Sequence, residues 1–186
     1  KFAKGGGEAM AIAVRLARAY SNKDEIAFSG YHGWHDWYLA TNLQSTKNLN
    51  KHLLQGLEPK GVPGSLKQSI HPFTYGNIQE LEKIIKKRKI GTIVLEGARY
   101  DFPDKKFVRA INSICNKEKI LLIIDEITSG WRQSIGGTYK ITGFKPDIVV
   151  YGKGIANGYP ISVIVGKKNI MKESNNTFIS SSVWTE

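Results

Sequence analysis

The stretch VVYGKGIANGYP, Val149 to Pro160, sets an apolar run against a lysine between two glycines: IVVY (Ile148–Tyr151) is followed by Gly152, Lys153 and Gly154. A short apolar run closed by glycine reads as a buried strand. A lysine at the mouth of such a strand has two readings. It is a salt-bridged structural cation, or it is an amine whose desolvation lowers its proton affinity and frees it to attack a carbonyl and form a Schiff base.

The same pattern recurs outward from this point. ILLII (Ile120–Ile124) is wholly apolar and runs into Asp125 and Glu126, Thr92–Leu95 runs into Glu96, Ile26–Phe28 is a short strand, and Ile161–Val165 is another. Between them lie helical patterns: the Ala-rich Glu8–Tyr20, Ile78–Lys87 behind Asn77 as cap, and Lys105–Glu118. Trp34–Thr41 continues helically after a glycine turn, and Gln44–Ser69 is a long polar loop with Gly56, Gly61, Pro63 and Gly64. Runs of Ile, Leu and Val alternating with helices predict an α/β fold, with a mostly parallel central sheet flanked by helices.

Ligands of open α/β sheets bind outside the carboxyl ends of the strands. Glu96, Asp125 and Lys153 occupy three such ends. A partly buried Asp125 needs a partner for its charge. One suitable partner is the protonated pyridine nitrogen of pyridoxal phosphate (PLP), which needs an anion beside it to act as an electron sink. Asp125 and Lys153 sit on successive strands, so they can stand at opposite ends of one ring. Gly5-Gly6-Gly7 precedes the first helix, where free N–H groups and the helix dipole favour a phosphate; the segment lacks the GK[ST] of a nucleotide P-loop. In GYHGWHDWY (Gly30–Tyr38), Tyr31 or His32 can stack on a flat cofactor, while Trp34 and Trp37 suit an aromatic cluster closing the core. His32 and His35 are three apart but lack a third ligand nearby in sequence, so no metal site is expected.

Composition narrows the alternatives. The chain has 186 residues, 41% of them apolar, and a mean hydropathy of −0.29, as for one globular domain. No apolar run approaches the length of a membrane span, and no signal-peptide pattern follows the basic first residues, so no membrane association is expected. The single cysteine, Cys115, allows no internal disulfide and fits a cytoplasmic location. A net charge of +11 raises nucleic-acid binding. The basic residues are scattered, however, and the densest run, KIIKKRK (Lys83–Lys89), ends a helix where cations favour the dipole; no nucleic-acid partner is expected.

Four segments in order resemble the class III aminotransferases of the fold-type I PLP enzymes, nearest to the glutamate-1-semialdehyde 2,1-aminomutase-like members. GGGEAMAIAVRLAR resembles the phosphate loop and helix, FSGYHGWHDW the YHG motif, LLIIDEITSGWR the DEV-x-x-G-x-R segment, and YGKGIANGYPISVIVG the Schiff-base lysine motif. The resemblance implies a PLP-dependent transferase-like major domain, with residues 1–186 as a partial cofactor-binding large domain. The family's N-terminal segment and small C-terminal domain are expected outside this chain, which opens on KFAKGGGEA and closes on SSSVWTE as an interior piece would.

It also implies roles. Lys153 forms the Schiff base and moves protons, and Asp125 holds the pyridine nitrogen. Ile127 lies on one ring face and Tyr31 or His32 on the other. Gly6 and Gly7 offer N–H groups to the phosphate. Ser181 or Ser182 reaches the phosphate of a neighbouring subunit, implying a homodimer with shared active sites. Departures include Gly5 and Gly7 in place of hydroxyl residues, Thr128 where many members have glutamine, and no proline after Glu96. The implied activity is PLP-dependent amino transfer between an amino donor and a carbonyl substrate. GYHGWHDWY and LLQGLEPKGVP look most like a subgroup of surface-polysaccharide and nucleotide-sugar pathways. The alternatives are a 2,1-aminomutase and a non-catalytic fragment or interaction module that keeps the fold.

Overall fold

The computed structural model describes residues 1–180. In chain order its principal elements are β1 (Phe2–Ala3), α1 (Gly6–Ser21), β2 (Glu25–Ser29), α2 (Asp36–Leu39), β3 (Ile70–Pro72), α3 (Ile78–Lys87), β4 (Ile90–Glu96), α4 (Lys105–Glu118), β5 (Leu121–Glu126), α5 (Tyr139–Thr142), β6 (Ile148–Tyr151), β7 (Ser162–Gly166) and α6 (Lys168–Met171). Seven strands form one sheet in the order β1-β7-β6-β5-β4-β2-β3. The five from β6 to β3 are parallel; β7 pairs antiparallel with β6, and β1 antiparallel with β7.

Successive strand residues face opposite sides of the sheet, which sorts the core into two layers. Phe28, Val94, Leu121, Ile123, Ile148 and Val150 pack on the α1 side with Ala9, Ala13, Leu16 and Ala17. Ala27, Ile93, Leu95, Leu122 and Ile124 pack on the other side with Leu81 of α3 and Phe107, Val108 and Ile111 of α4. Parity then assigns the residues at the strand ends. Glu96, Asp125 and Gly152 continue the α1 side, whereas Glu126 continues the side of α3 and α4. Two adjacent carboxylates are thereby sent to different layers.

The helices begin where the sequence places their caps. Asn77 accepts from Glu80 N–H at 3.2 Å ahead of α3, and Asp104 accepts from Lys106 N–H at 2.8 Å ahead of α4. In contrast, α1 starts at Gly5 with no side-chain cap. The helical stretch expected over Trp34–Thr41 is shorter and tighter: α2 gives way to a 3-10 turn over Ala40–Leu43. Trp37 is buried, but Trp34 is exposed and lies on the His35 ring rather than in the core. The polar loop over Gln44–Ser69 is anchored by fully buried Leu49, and Asn42 ties it to Leu57 carbonyl and Leu49 N–H.

Candidate active site

All five strands with parallel neighbours end on one edge. β1 and β7 complete that edge: Ala3 pairs with Ser162, and the chain then turns through Lys4 and Gly5 into the N-terminus of α1. A cavity of about 290 Å³ opens there. Gly6, Gly7, Tyr31, His32, Asp125, Ile127 and Lys153 all line it, whereas Glu96, the third of the strand-end residues, does not. Ser181 and Ser182 lie outside the described residues.

At the α1 end, the helix's first backbone bond runs from Ala9 N–H to the Gly5 carbonyl, so the N–H groups of Gly6, Gly7 and Glu8 precede the hydrogen-bond ladder. The glycines here are set by close approach. A Cβ on Gly6 would stand 2.9 Å from Ile127 Cδ1, and one on Gly7 would stand 2.7 Å from His35 Nδ1. A side chain in place of Gly7 would require the His35 ring to shift. Gly33 (φ +100°) fits against the same turn, with its would-be Cβ 2.9 Å from Gly7 Cα.

Asp125, 5% exposed, is held at both oxygens. Its Oδ1 accepts from Ile127 N–H at 2.9 Å, and its Oδ2 lies 2.8 Å from His32 Nδ1. His32 Nε2 is 3.2 Å from the Ser29 carbonyl, which only accepts, so Nε2 carries a proton. His32 is 1% exposed, with Trp37 stacked along it and Phe28 and Tyr38 edge-on. Its ring is committed to Asp125, while Tyr31 at 38% exposure is the freer aromatic on the cavity wall.

Lys153 stands opposite, just past β6. Its Nζ donates to Thr128 Oγ1 at 3.0 Å. Its φ of +43° lies in the left-handed region, a conformation that costs a non-glycine residue about 1–3 kcal/mol and is concentrated at functional sites. The flanking glycines make room for protein: a Cβ on Gly152 would press on Ser162 Oγ (3.1 Å) and Ile127 Cγ2 (3.2 Å), and one on Gly154 would approach the Gly130 carbonyl at 3.3 Å. They let β6 lie tightly against the loop after β5, which delivers Ile127 and Thr128.

Two carboxylates that sequence reasoning left without a partner, buried Glu126 and partly buried Glu96, hold the surrounding loops. Glu126 is fully buried and accepts from Ser129 Oγ, from Thr138 Oγ1 at 2.8 Å and from Tyr139 N–H at 2.8 Å, clamping both ends of the 127–138 loop. Glu96 Oε2 pairs with Arg99 at 3.0 Å, and Arg99 Nη2 reaches the His52 carbonyl at 2.7 Å. Burial pushes the Glu96 carboxyl up, and Arg99 and His32 oppose that shift. The His52 ring accepts from Gly30 N–H, and burial, aided by Arg99, lowers it to about 4. The spacing of Glu126 and its hydroxyl donor Ser129, three residues apart, is a local signal in the sequence; the contacts of His52 carry none, because a long loop supplies them.

A lysine with a left-handed backbone and a carboxylate fixed at both oxygens line one cavity at the carboxyl edge of a mostly parallel sheet, beside the start of α1. The class III aminotransferase model matches residues 1–182, and the chain belongs to that family, whose cofactor is PLP. It is 35% identical over 187 residues to 3-aminobutyryl-CoA aminotransferase of Cloacimonas acidaminovorans, covering 96% of this chain and 41% of that protein. It is 36% identical over 183 residues to glutamate-1-semialdehyde 2,1-aminomutase of Campylobacter hominis, covering 92% of this chain and 38% of that one. The fold is shared with the PLP form of the FumI protein of Sphingopyxis sp. MTA144, at a TM-score of 0.81, 24% identity, and coverage of 98% and 42% of the two chains. The chain thus spans about two-fifths of the length of such relatives. No helix among the described residues is long and apolar enough to cross a membrane.

Proposed function

We propose that this chain is the cofactor-holding part of a PLP-dependent aminotransferase, which moves an amino group from an amino donor to a carbonyl acceptor. The observation that carries the reading is the single cavity shared by Lys153 and Asp125, with the start of α1 on its wall. The residues present suit the cofactor. The N–H groups of Gly6 and Gly7, which precede the hydrogen-bond ladder of α1, and the helix dipole suit a phosphate without any hydroxyl. Asp125, fixed by Ile127 N–H and His32, suits a ring nitrogen that must keep its proton. Ile127 offers an apolar surface to one ring face, and Tyr31, in place of the committed His32, an aromatic surface to the other.

PLP, when bound, supplies an electron sink for charge developing on the substrate's amine-bearing carbon. The protein's part is to hold and to move protons. Lys153 is the residue that would hold the cofactor by its carbonyl group, and its Nζ would take and return the proton at the substrate carbon. Thr128 Oγ1 keeps that amine on the cavity side of β6. Exposed Tyr159 and Ile161 on the rim support a homodimer in which a second subunit covers the opening. Placement in a surface-polysaccharide or nucleotide-sugar pathway is supported only by the likeness of GYHGWHDWY and LLQGLEPKGVP to that subgroup.

A 2,1-aminomutase is the second reading, favoured by the names of several relatives. Incubating the whole PLP-loaded protein with an amino donor and no acceptor separates the two. Aminotransfer releases up to one equivalent of oxo product per site and stops until acceptor is added. A mutase turns over one compound repeatedly with no oxo product released.

A further inference from the structure

A second cavity, of about 330 Å³, adjoins the first and shares Thr128 with it. Arg132 forms part of its wall. The stem of Arg132 runs beside Gly154, with Cγ 3.9 Å from the position a Cβ there would take, and its Nε donates to the Thr128 carbonyl at 2.7 Å. Thr128 therefore fixes the guanidinium through its backbone while its hydroxyl holds Lys153 Nζ. The two contacts and the size of one threonine place Nε and Nζ no more than about 10 Å apart. No described residue accepts from Arg132 Nη1 or Nη2. Arg99, on the same wall, is different: its nitrogens are occupied by Glu96 and the His52 carbonyl.

From this geometry we propose that Arg132 is a specificity-determining residue. It takes the carboxylate of a short amino-acid or oxo-acid substrate whose acid group stands a few bonds from the carbon bearing the amine or carbonyl. The planar fork of arginine, with one nitrogen already anchored, presents the remaining N–H groups in a geometry that matches a carboxylate at little further loss of freedom. Asp101 is the one carboxylate among the cavity's lining residues. It repels a bound anion, so its neutralisation strengthens binding. The inference rests on the proposed role of Lys153 as the cofactor-bearing residue.

The test uses the whole PLP-loaded protein. Borohydride reduction first establishes that the cofactor is on Lys153; its absence there overturns the proposed function and this inference with it. With the cofactor in place, the ratio of kcat/KM for a donor bearing a carboxylate to that for sec-butylamine is compared between wild type and Arg132→Gln. Calorimetric affinity for succinate is measured in parallel. A charged hydrogen-bonded fork implies a fall of about 10- to 100-fold in both quantities. Arg132→Lys should recover part of the loss, and Asp101→Asn should tighten succinate. An unchanged ratio and unchanged succinate affinity overturn the inference while leaving the proposed function standing. So does a loss confined to phosphate-bearing donors, or an equal loss for both donors.

Discussion

Gly33→Ala, compared with Gly143→Ala, isolates the contact that joins the YHG segment to the start of α1. Both glycines have left-handed backbones, with φ of +100° at Gly33 and +87° at Gly143. Left-handed strain costs an alanine about 1–2 kcal/mol, offset by about 0.4–1 kcal/mol from the stiffer unfolded chain. Those terms are common to both variants. Their surroundings differ: the new methyl at Gly143 meets nothing within 4 Å, whereas at Gly33 it would lie 2.9 Å from Gly7 Cα. Backbone cannot rotate away as a side chain would, so the overpacking penalty of about 1–3 kcal/mol falls on Gly33→Ala alone. Urea unfolding of the whole protein should show it less stable than Gly143→Ala by that amount. Because the struck atom belongs to the first turn of α1, PLP affinity should fall in Gly33→Ala and hold in Gly143→Ala. Equal midpoints and equal PLP affinities in the two variants would refute the claim that this approach shapes the phosphate end of the cavity.

Further outcomes follow from the carboxylates and the buried imidazole. Asp125→Asn keeps the shape and the Ile127 contact but removes the negative charge, so PLP should still bind while proton removal at the substrate carbon slows by orders of magnitude; single-turnover kinetics at wild-type rate would contradict this. His52 is lowered to about 4 by burial, so below an ordinary histidine value of about 6.5 the unfolded chain binds a proton that the folded chain refuses. Stability from His52 is therefore full above pH ~6.5 and is lost as pH falls toward 4, by at most about 3 kcal/mol. Denaturation at pH 7.5 and pH 5 should show a smaller difference in His52→Gln than in wild type. Glu126→Ala leaves two hydroxyls and the Tyr139 N–H without their shared acceptor, about 1–3 kcal/mol for each buried group left unpaired; an unaltered thermal midpoint would show that the 127–138 loop is held by something else.

Much of the layout was legible because the strands are continuous apolar runs that stop at charged residues. ILLII followed by Asp-Glu, and IVVY followed by Gly-Lys, announce both the sheet and its functional edge. What escaped reading depends on pairing across the chain. β1 is two residues long, and β3, IHP, carries a proline that only an edge strand tolerates; β3 lies at the end of the sheet, where His71 meets Glu25 at 2.7 Å. The role of His32 could not be chosen from sequence, since Tyr31 and His32 are adjacent and both aromatic; its contact with the Ser29 carbonyl is local, but its contact with Asp125 comes from distant parts of the chain meeting. Nor does sequence show that Gly152 and Gly154 are small in order to seat the Ile127 loop.

The most direct test of the whole account is where PLP attaches. The intact protein is loaded with PLP, reduced with borohydride, digested and mapped by mass spectrometry. The account predicts a pyridoxyl group on Lys153, at one per chain, and its disappearance in Lys153→Ala. A label on Lys4, the other lysine lining the cavity, or scattered labelling that survives Lys153→Ala, would contradict it.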